Sequence, residues 1–146
     1  MNINKVTVAW NGFMASLEKA IEEWKPKTEA TELGYRDSLV AHLRKCAPEA
    51  RVEPEYRHSG TTADICFKWD GIVFPSEAFV ELKRNLHQKP QYDRLVGQIE
   101  GLDPRRNRII IVLCGETNPT LADRLRHHYK DFLVQTTDRK MAIIVK

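Results

Sequence analysis

A glutamate and a lysine, one residue apart, lie inside the apolar stretch Phe-Val-Glu-Leu-Lys at residues 79–83. This alternation is typical of a half-buried β-strand, on which Glu81 and Lys83 point to one face about 7 Å apart. Burying two such charges is unfavourable unless an ionic partner compensates them. A divalent cation beside Glu81 and a phosphate beside Lys83 would do so. The alternative is a solvated edge strand that carries an ordinary surface ion pair.

Three further polar residues accompany this strand. Asp64 lies in the preceding predicted strand, Glu32 in a predicted helix upstream and Gln98 in a predicted helix downstream. The order of helix Glu, strand Asp, strand Glu-x-Lys and helix Gln resembles the PD-(D/E)XK nuclease superfamily, over residues 30–115. The resemblance implies a restriction-endonuclease-like αβββαβ core, with a mixed central sheet flanked by helices.

Two positions depart from the patterns of that superfamily. Ala63 stands where the family name has Pro, at a position that varies in the family. Leu102 stands four residues after Gln98, where the RecB-type Gln-xxx-Tyr motif has Tyr. The resemblance therefore implies the superfamily and not the RecB-type subgroup.

The resemblance also implies a chemistry, the metal-dependent hydrolysis of phosphodiester bonds, with DNA favoured over RNA. Asp64, Glu81 and the backbone carbonyl of Leu82 would bind Mg²⁺, with Mn²⁺ as an alternative. Oxygen ligands suit such a cation. Lys83 would orient or activate the attacking water, and the products would carry a 5′ phosphate and a 3′ hydroxyl. Small nucleases of this kind often act as dimers, so a homodimer is an open expectation.

Two of the implied site residues have simpler explanations. Glu32, or the nearby Glu29, would be the helix acid that holds a second metal or a water of the first. Equally, both carboxylates could merely favour the positive end of a helix. Gln98, on the flank of its helix, could reach the site at the strand ends or be an ordinary boundary residue.

A basic segment continues directly from the proposed site. Arg84, His87 and Lys89 follow Lys83, and a polyanion would have to lie there, so we expect these residues to contact nucleic acid. His58, in a predicted loop near the Asp64 strand, is a weaker candidate for the same role. The basic residues between 124 and 130 are expected to form a solvated face, and residues 105–108 are undecided.

Size and composition set the remaining bounds. A chain of 146 residues predicts one domain over residues 1–146, and its net charge of +3 leaves any nucleic-acid surface to local clustering. Three widely spaced cysteines without a metal-binding motif fit a reducing compartment, so a cytoplasmic protein is expected. No apolar run reaches the roughly 18 residues that a membrane-spanning helix needs.

The apolar periodicity predicts the order ααβββαβαβ, which contains the αβββαβ core and one extra N-terminal helix. Before these elements, Val6 and Val8 indicate a small strand. Asn11 is expected to cap the first helix, which ends before Pro26, and Thr28 to cap the second, which runs to about Cys46. The predicted strands cover residues 51–58, 62–69, 78–84, 108–114 and 141–145, and helices begin at Pro90 and after Asn118.

The pairing of the second and third strands decides whether the two acids meet. A tight turn at Asp70-Gly71 would place Asp64 opposite Glu77 and about 13 Å from Glu81. Pro75 argues against that register, because proline cannot donate to a central ladder. We therefore expect a longer loop over residues 70–75, or an equivalent bulge, which places Asp64 opposite Glu81.

Two alternatives to a nuclease remain open at this point. The chain could be a catalytically silent member of the same fold that binds nucleic acid or assembles a complex, although such a protein would not need a buried acid and lysine. It could also be an unrelated small α/β protein that matches the motifs by chance. The distance between the Asp64 and Glu81 carboxylates distinguishes a chance match from the nuclease fold, since one metal must bind both.

Overall fold

A computed structural model of the chain describes residues 2–71, 75–134 and 139–146. In this part of the chain, five strands form one mixed sheet in the order β1-β2-β3-β4-β5, with helices on both faces. The elements are α1 (Lys5–Asn11), α2 (Phe13–Glu23), α3 (Glu32–Cys46), β1 (Arg51–His58), β2 (Thr61–Asp70), β3 (Pro75–Arg84), α4 (Lys89–Gly101), β4 (Arg108–Cys114), α5 (Pro119–His128), a 3₁₀ turn (Lys130–Phe132) and β5 (Met141–Val145).

The predicted αβββαβ core is confirmed as α3-β1-β2-β3-α4-β4. Strands β1, β2 and β3 are antiparallel neighbours, whereas β3, β4 and β5 run parallel to one another. The carboxyl ends of the three parallel strands therefore meet at one edge of the sheet, and β3 brings Lys83 and Arg84 to that edge. The mixed sheet flanked by helices is the architecture that the sequence predicts.

The N-terminal segment contains one helix more than predicted. The small strand expected through Val6 and Val8 is wrong, because residues 5–11 form α1. Asn4 caps this helix by accepting the backbone N–H of Thr7, and the Thr7 hydroxyl in turn receives the N–H of Asn4. This reciprocal capping fixes the first turn, and it outweighs the β propensity of two valines in a short segment.

Two predicted helix caps lie at neighbouring residues instead. Asn11 belongs to α1, and Gly12, with a positive φ of 84°, begins α2. Thr31, rather than Thr28, caps α3 and accepts the backbone N–H of Gly34 through its hydroxyl. The shift makes Glu32 the first residue of α3, where the positive end of the helix stabilises its carboxylate.

The register between β2 and β3 agrees with the wider of the two predicted connections. Ile65 pairs with Val80 and Asp70 pairs with Pro75, so Asp64 lies level with Glu81. The tight register would have placed Glu77 at that level, and instead Glu77 pairs with Lys68. Residues 72–74 of the expected loop lie outside the described residues.

Two apolar cores cover the faces of the sheet. On one face α2 and α3 pack over alternate strand residues such as Ile65, Phe67 and Val80. On the other face α4 and α5 pack over Phe79 and the opposite set of β4 residues. Each strand thus contributes both of its faces to a core, which fixes its register because a slip of one residue would exchange the two cores.

The described cysteines, Cys46, Cys66 and Cys114, are free and buried. Burial raises the pKa of the Cys66 thiol to about 12, and it raises that of Cys114 to about the same value. These thiols are therefore protonated and act as small apolar side chains. Within the described ranges, no helix has both the length and the apolar character that a membrane crossing requires.

The turn after β4 supplies a test of local packing. Gly115 has a φ of 74°, and a Cβ there would lie 2.3 Å from Oδ1 of Asn85. Gly60 has a similar φ of 85° but has no atom within 4 Å of such a Cβ. We expect Gly115→Ala to lower the free energy of unfolding by about 2–4 kcal/mol and Gly60→Ala by only about 1–2 kcal/mol, measured by urea unfolding. Equal losses would contradict the close approach of Asn85.

Candidate active site

Asp64 is tied to the backbone of β3 through its side chain. The ladder between β2 and β3 ends at the pair Ile65–Val80. Beyond it, Oδ2 of Asp64 accepts the backbone N–H of Leu82 at 2.7 Å. The carboxylate thus occupies the place of a strand–strand hydrogen bond, and it lies directly beside Glu81. The structure confirms that the two acids lie together.

A bend in β1 lies on the other side of Asp64. The pairs Pro54–Ile65 and Tyr56–Ala63 flank a level at which Glu55 and Asp64 form no ladder pair. Glu55 has a φ of 53°, in the left-handed region that non-glycine residues rarely adopt. The ladder between β1 and β2 is thus interrupted beside Asp64, whose carboxylate contacts β3.

Sequence reasoning missed the residue that holds this bend. Arg36 donates from Nη1 to Oε1 of Glu55 at 2.7 Å and also contacts the carboxylate of Asp37. Arg36 lies four residues after Glu32 and therefore shares its side of α3. That spacing was the available signal, but nothing in the sequence marked Glu55 as a residue with positive φ.

Glu81 is the most unusual ionisable group of the site. Its side chain is buried, with the residue only 6% exposed, and its Oε2 atom has no hydrogen-bond partner among the described residues. Burial raises the pKa of Glu81 well above its ordinary range, and the charge of Asp64 together with a hydrogen bond to Asp64 raises it further. Glu32 adds to the shift. An ionised Glu81 therefore needs a cation beside it.

Asp64, Glu81, Glu32 and Lys83 form one cluster of ionisable side chains. Glu32 and Lys83 lie on its open side. Their Oε2 and Nζ atoms are 3.7 Å apart, and their side chains are 43% and 19% exposed. Burial raises the pKa of Glu32, against the lowering effect of Lys83, and the charge of Asp64 raises it as well. Glu32 is thus the acid that joins the site. The Glu29 carbonyl instead accepts Nε of Arg84, away from Lys83.

Gln98 is not brought to this cluster. It lies on the exposed side of α4, nine residues after the start of the helix, or roughly 13 Å along its axis. The helix starts near the edge where β3 ends and runs back beside the sheet, so Gln98 lies towards its far end. Among the described residues, no hydrogen bond links the Gln98 side chain to the acids or to Lys83. Its predicted role has no structural support.

The expected nucleic-acid contacts fall into two groups. Arg84 is the last residue of β3 and is half-buried, and His87 and Lys89 follow the strand and are exposed. Lys89 pairs with Asp93 within α4, at 2.8 Å. His58 is different, because its ring packs against Phe79 and its Nε2 atom lies 3.3 Å from the Asn107 amide. This packing is a structural role for His58, and the predicted contact with nucleic acid lacks support.

The side-chain oxygens of this site suit a divalent cation such as Mg²⁺, which needs only one or two protein carboxylates. Asp64 and Glu81 offer two adjacent carboxylates, and the unpartnered Oε2 of Glu81 is the kind of atom that a cation would satisfy. Among the described residues, no three His, Cys, Asp or Glu side chains are arranged around one metal-sized position. Two carboxylates are nonetheless the usual protein contribution to Mg²⁺, which keeps several waters.

Comparisons with known proteins give a distant likeness. No protein-family model matches the chain, and no curated protein matches it. A solved structure of the restriction endonuclease FokI bound to DNA is similar, with a TM-score of 0.43 and 11% sequence identity. The match covers 89% of this chain and 27% of that one, so this chain spans about a quarter of its length.

The raised pKa of Glu81 predicts how stability depends on pH without metal. Because the native state holds this proton more tightly than the unfolded chain does, stability should fall as the pH rises above about 4.5. Glu32 contributes with the same sign. In EDTA at pH 8, Glu81→Gln should therefore raise the free energy of unfolding, on the order of 2 kcal/mol, and the gain should shrink at pH 5.

Urea unfolding at both pH values measures this effect. Glu49→Gln, at an exposed position away from the cluster, is the matched control and should change stability by less than about 0.5 kcal/mol. If Glu81→Gln destabilises the protein at pH 8 as strongly as at pH 5, the native state does not raise the pKa of Glu81.

Proposed function

We propose that this chain is a metal-dependent nuclease that hydrolyses phosphodiester bonds, with DNA as the favoured substrate. The observation that carries the proposal is the buried Glu81 carboxylate, whose Oε2 has no partner, beside the Asp64 carboxylate and at the edge where Lys83 emerges. A protein that only needed a stable fold would gain by replacing this group with an apolar residue.

Asp64 and Glu81 would hold Mg²⁺, or Mn²⁺ as the alternative, and the superfamily pattern adds the backbone carbonyl of Leu82. Such a cation polarises the phosphate and lowers the pKa of water. The hydrogen bond from the Leu82 N–H fixes the Asp64 carboxylate before any ligand arrives. The burial of Glu81 keeps the surroundings poor in water, so a bound charge interacts strongly there.

Lys83 would act on the phosphate. Its ammonium group is partly exposed and rests against Glu32, which holds it at the mouth of the cluster. A substrate phosphate would take over part of this pairing, and Lys83 would then neutralise the charge that grows on the phosphoryl oxygens. The attacking water would lose a proton to solvent as its oxygen forms the new P–O bond. The P–O3′ bond would break, and the 3′ oxygen would take up a proton from solvent. Glu32 would position Lys83 rather than contact the phosphate.

The preference for DNA rests on the motif resemblance, since these residues recognise a phosphodiester in either nucleic acid. The exposed His87 and Lys89 and the half-buried Arg84 lie beyond Lys83, along the path that a strand would follow. The principal alternative is a silent module of the same fold that binds nucleic acid without cutting it. The two differ in cleavage, and binding alone does not separate them.

Cleavage of single-stranded, duplex and branched DNA in the presence of Mg²⁺ tests the proposal. We expect Asp64→Asn, Glu81→Gln and Lys83→Ala each to lower the cleavage rate by roughly 10²–10⁴-fold, because each removes charge stabilisation at the reacting phosphate. Removing Mg²⁺ with EDTA should abolish cleavage, and Mg²⁺ should raise the thermal unfolding midpoint of the wild type but not that of Glu81→Gln.

Lys130→Ala is the matched control for Lys83→Ala, since it removes an exposed lysine from another part of the chain. Its cleavage rate should equal that of the wild type. Unchanged cleavage in all three site variants would show that the roles are misassigned. Binding without cleavage of any of these substrates would identify the silent module.

A further inference from the structure

A cavity of about 500 Å³ lies at the edge of the sheet where the three parallel strands end. Arg84 is the last residue of β3, Gly115 follows β4 and Lys146 follows β5, and all three line the cavity. The volume lies within the range of small-molecule sites, which are roughly 300–1,000 Å³.

Two cations in this cavity have no carboxylate partner. Arg84 and Lys146 are both half-buried, and within the described residues neither has an acid at salt-bridge distance. Arg84 uses Nε to donate to the Glu29 carbonyl, and Lys146 donates to the Glu22 carbonyl at 2.7 Å. Burial lowers the pKa of Lys146. Half-buried cations that contact only carbonyl oxygens favour an anion beside them.

The two acids that also line the cavity are directed elsewhere. The Glu29 carboxylate lies over the first turn of α3, with Oε2 2.9 Å from where a Cβ of Gly34 would stand. The Glu116 side chain is 90% exposed and lies 4.0 Å from His87. Neither carboxylate forms an ion pair with Arg84 or Lys146. The acidic charges that act on the two cations are those of Glu32, which already pairs with Lys83, and of Glu22.

The wall next to Arg84 is rigidly built. Asn85 has a φ of 50°, and its N–H donates to the Cys114 carbonyl. Its Oδ1 atom accepts the N–H of Glu116 at 2.8 Å, and this bond orients the amide. A strained non-glycine residue that is held by two hydrogen bonds is a feature of sites in which a ligand must be met by a fixed group.

The cavity adjoins the catalytic cluster. Arg84 is the residue after Lys83, and successive strand residues point to opposite sides, so one strand end presents a cation to each site. The segment between Glu29 and Glu32 forms the wall between them, since Glu29 receives Arg84 and Glu32 receives Lys83. A nucleic-acid strand that places one phosphate at Lys83 can therefore place a second one here.

We propose that this cavity binds a second phosphate of the nucleic-acid strand, held by Arg84 and Lys146, with the Asn85 amide and the Thr28 hydroxyl as further donors. The inference rests on the proposed function for its ligand, but it concerns binding and needs no cleavage. The same chemistry could be presented by an internal phosphodiester or by a phosphate at the 5′ end of the strand.

Equilibrium binding of single-stranded oligonucleotides to the full chain, in EDTA to prevent cleavage, tests the proposal by fluorescence anisotropy over a series of salt concentrations. Arg84→Gln should weaken binding about tenfold at low salt, and it should reduce the slope of log K against log[salt] by roughly 0.7. Lys146→Gln should reduce the slope similarly. Arg94→Gln and Lys130→Gln, which remove exposed charges elsewhere, should leave the slope unchanged.

Oligonucleotides with a 5′ phosphate and with a 5′ hydroxyl identify the source. If Arg84→Gln weakens both equally, the cavity holds an internal phosphodiester; if it weakens only the phosphorylated one, it holds the strand end. Slopes for Arg84→Gln and Lys146→Gln equal to those of the two controls would overturn the inference, as would a wild type that binds no oligonucleotide. Metal-dependent cleavage with such unchanged slopes would overturn the inference and leave the nuclease proposal intact.

Discussion

The hydrogen bond from the Leu82 N–H to the Asp64 carboxylate is the contact on which the arrangement of the site depends. It replaces a ladder bond between β2 and β3, so the position of an acid is set by the backbone of the strand that carries Glu81 and Lys83. The geometry needs the wide β2–β3 connection, which brings Asp64 level with Glu81. On the other side of Asp64, Glu55 has a positive φ and forms no ladder pair with it.

This arrangement has an energetic cost, which falls mainly on Glu81. Its carboxyl group is buried beside another acid, and one oxygen lacks a partner, a combination that few structural residues show. The charges of Glu32 and Lys83 compensate each other on the open side of the site and leave the buried Glu81 carboxyl group without a compensating charge. A group that is held out of its preferred charge state in a packed interior is typical of a site that awaits a ligand, because the ligand supplies the compensation that the fold withholds.

The strands and the register that bring Asp64 level with Glu81 could be predicted because their signals in the sequence are periodic and local. The alternation around Glu81, the β-branched run of β4 and the effect of Pro75 on the ladder together gave the strands, their faces and the register. What escaped prediction depends on tertiary contacts. Asn4 and Thr7 form a capping box that outweighs the β propensity of Val6 and Val8. Thr31, rather than Thr28, caps α3. His58 packs on Phe79, which is a contact between β1 and β3 that the sequence pattern of neither strand indicates.

The bend at Glu55 also changes what the outer edge of the sheet can do. As an outermost strand, β1 would ordinarily offer its free N–H and C=O groups to a strand from another molecule. Pro54 has no N–H to offer, and the left-handed residue after it turns the backbone out of line. Another chain therefore finds no continuous row of donors there. The distortion beside Asp64 thus also disfavours intermolecular β-pairing and aggregation at this border.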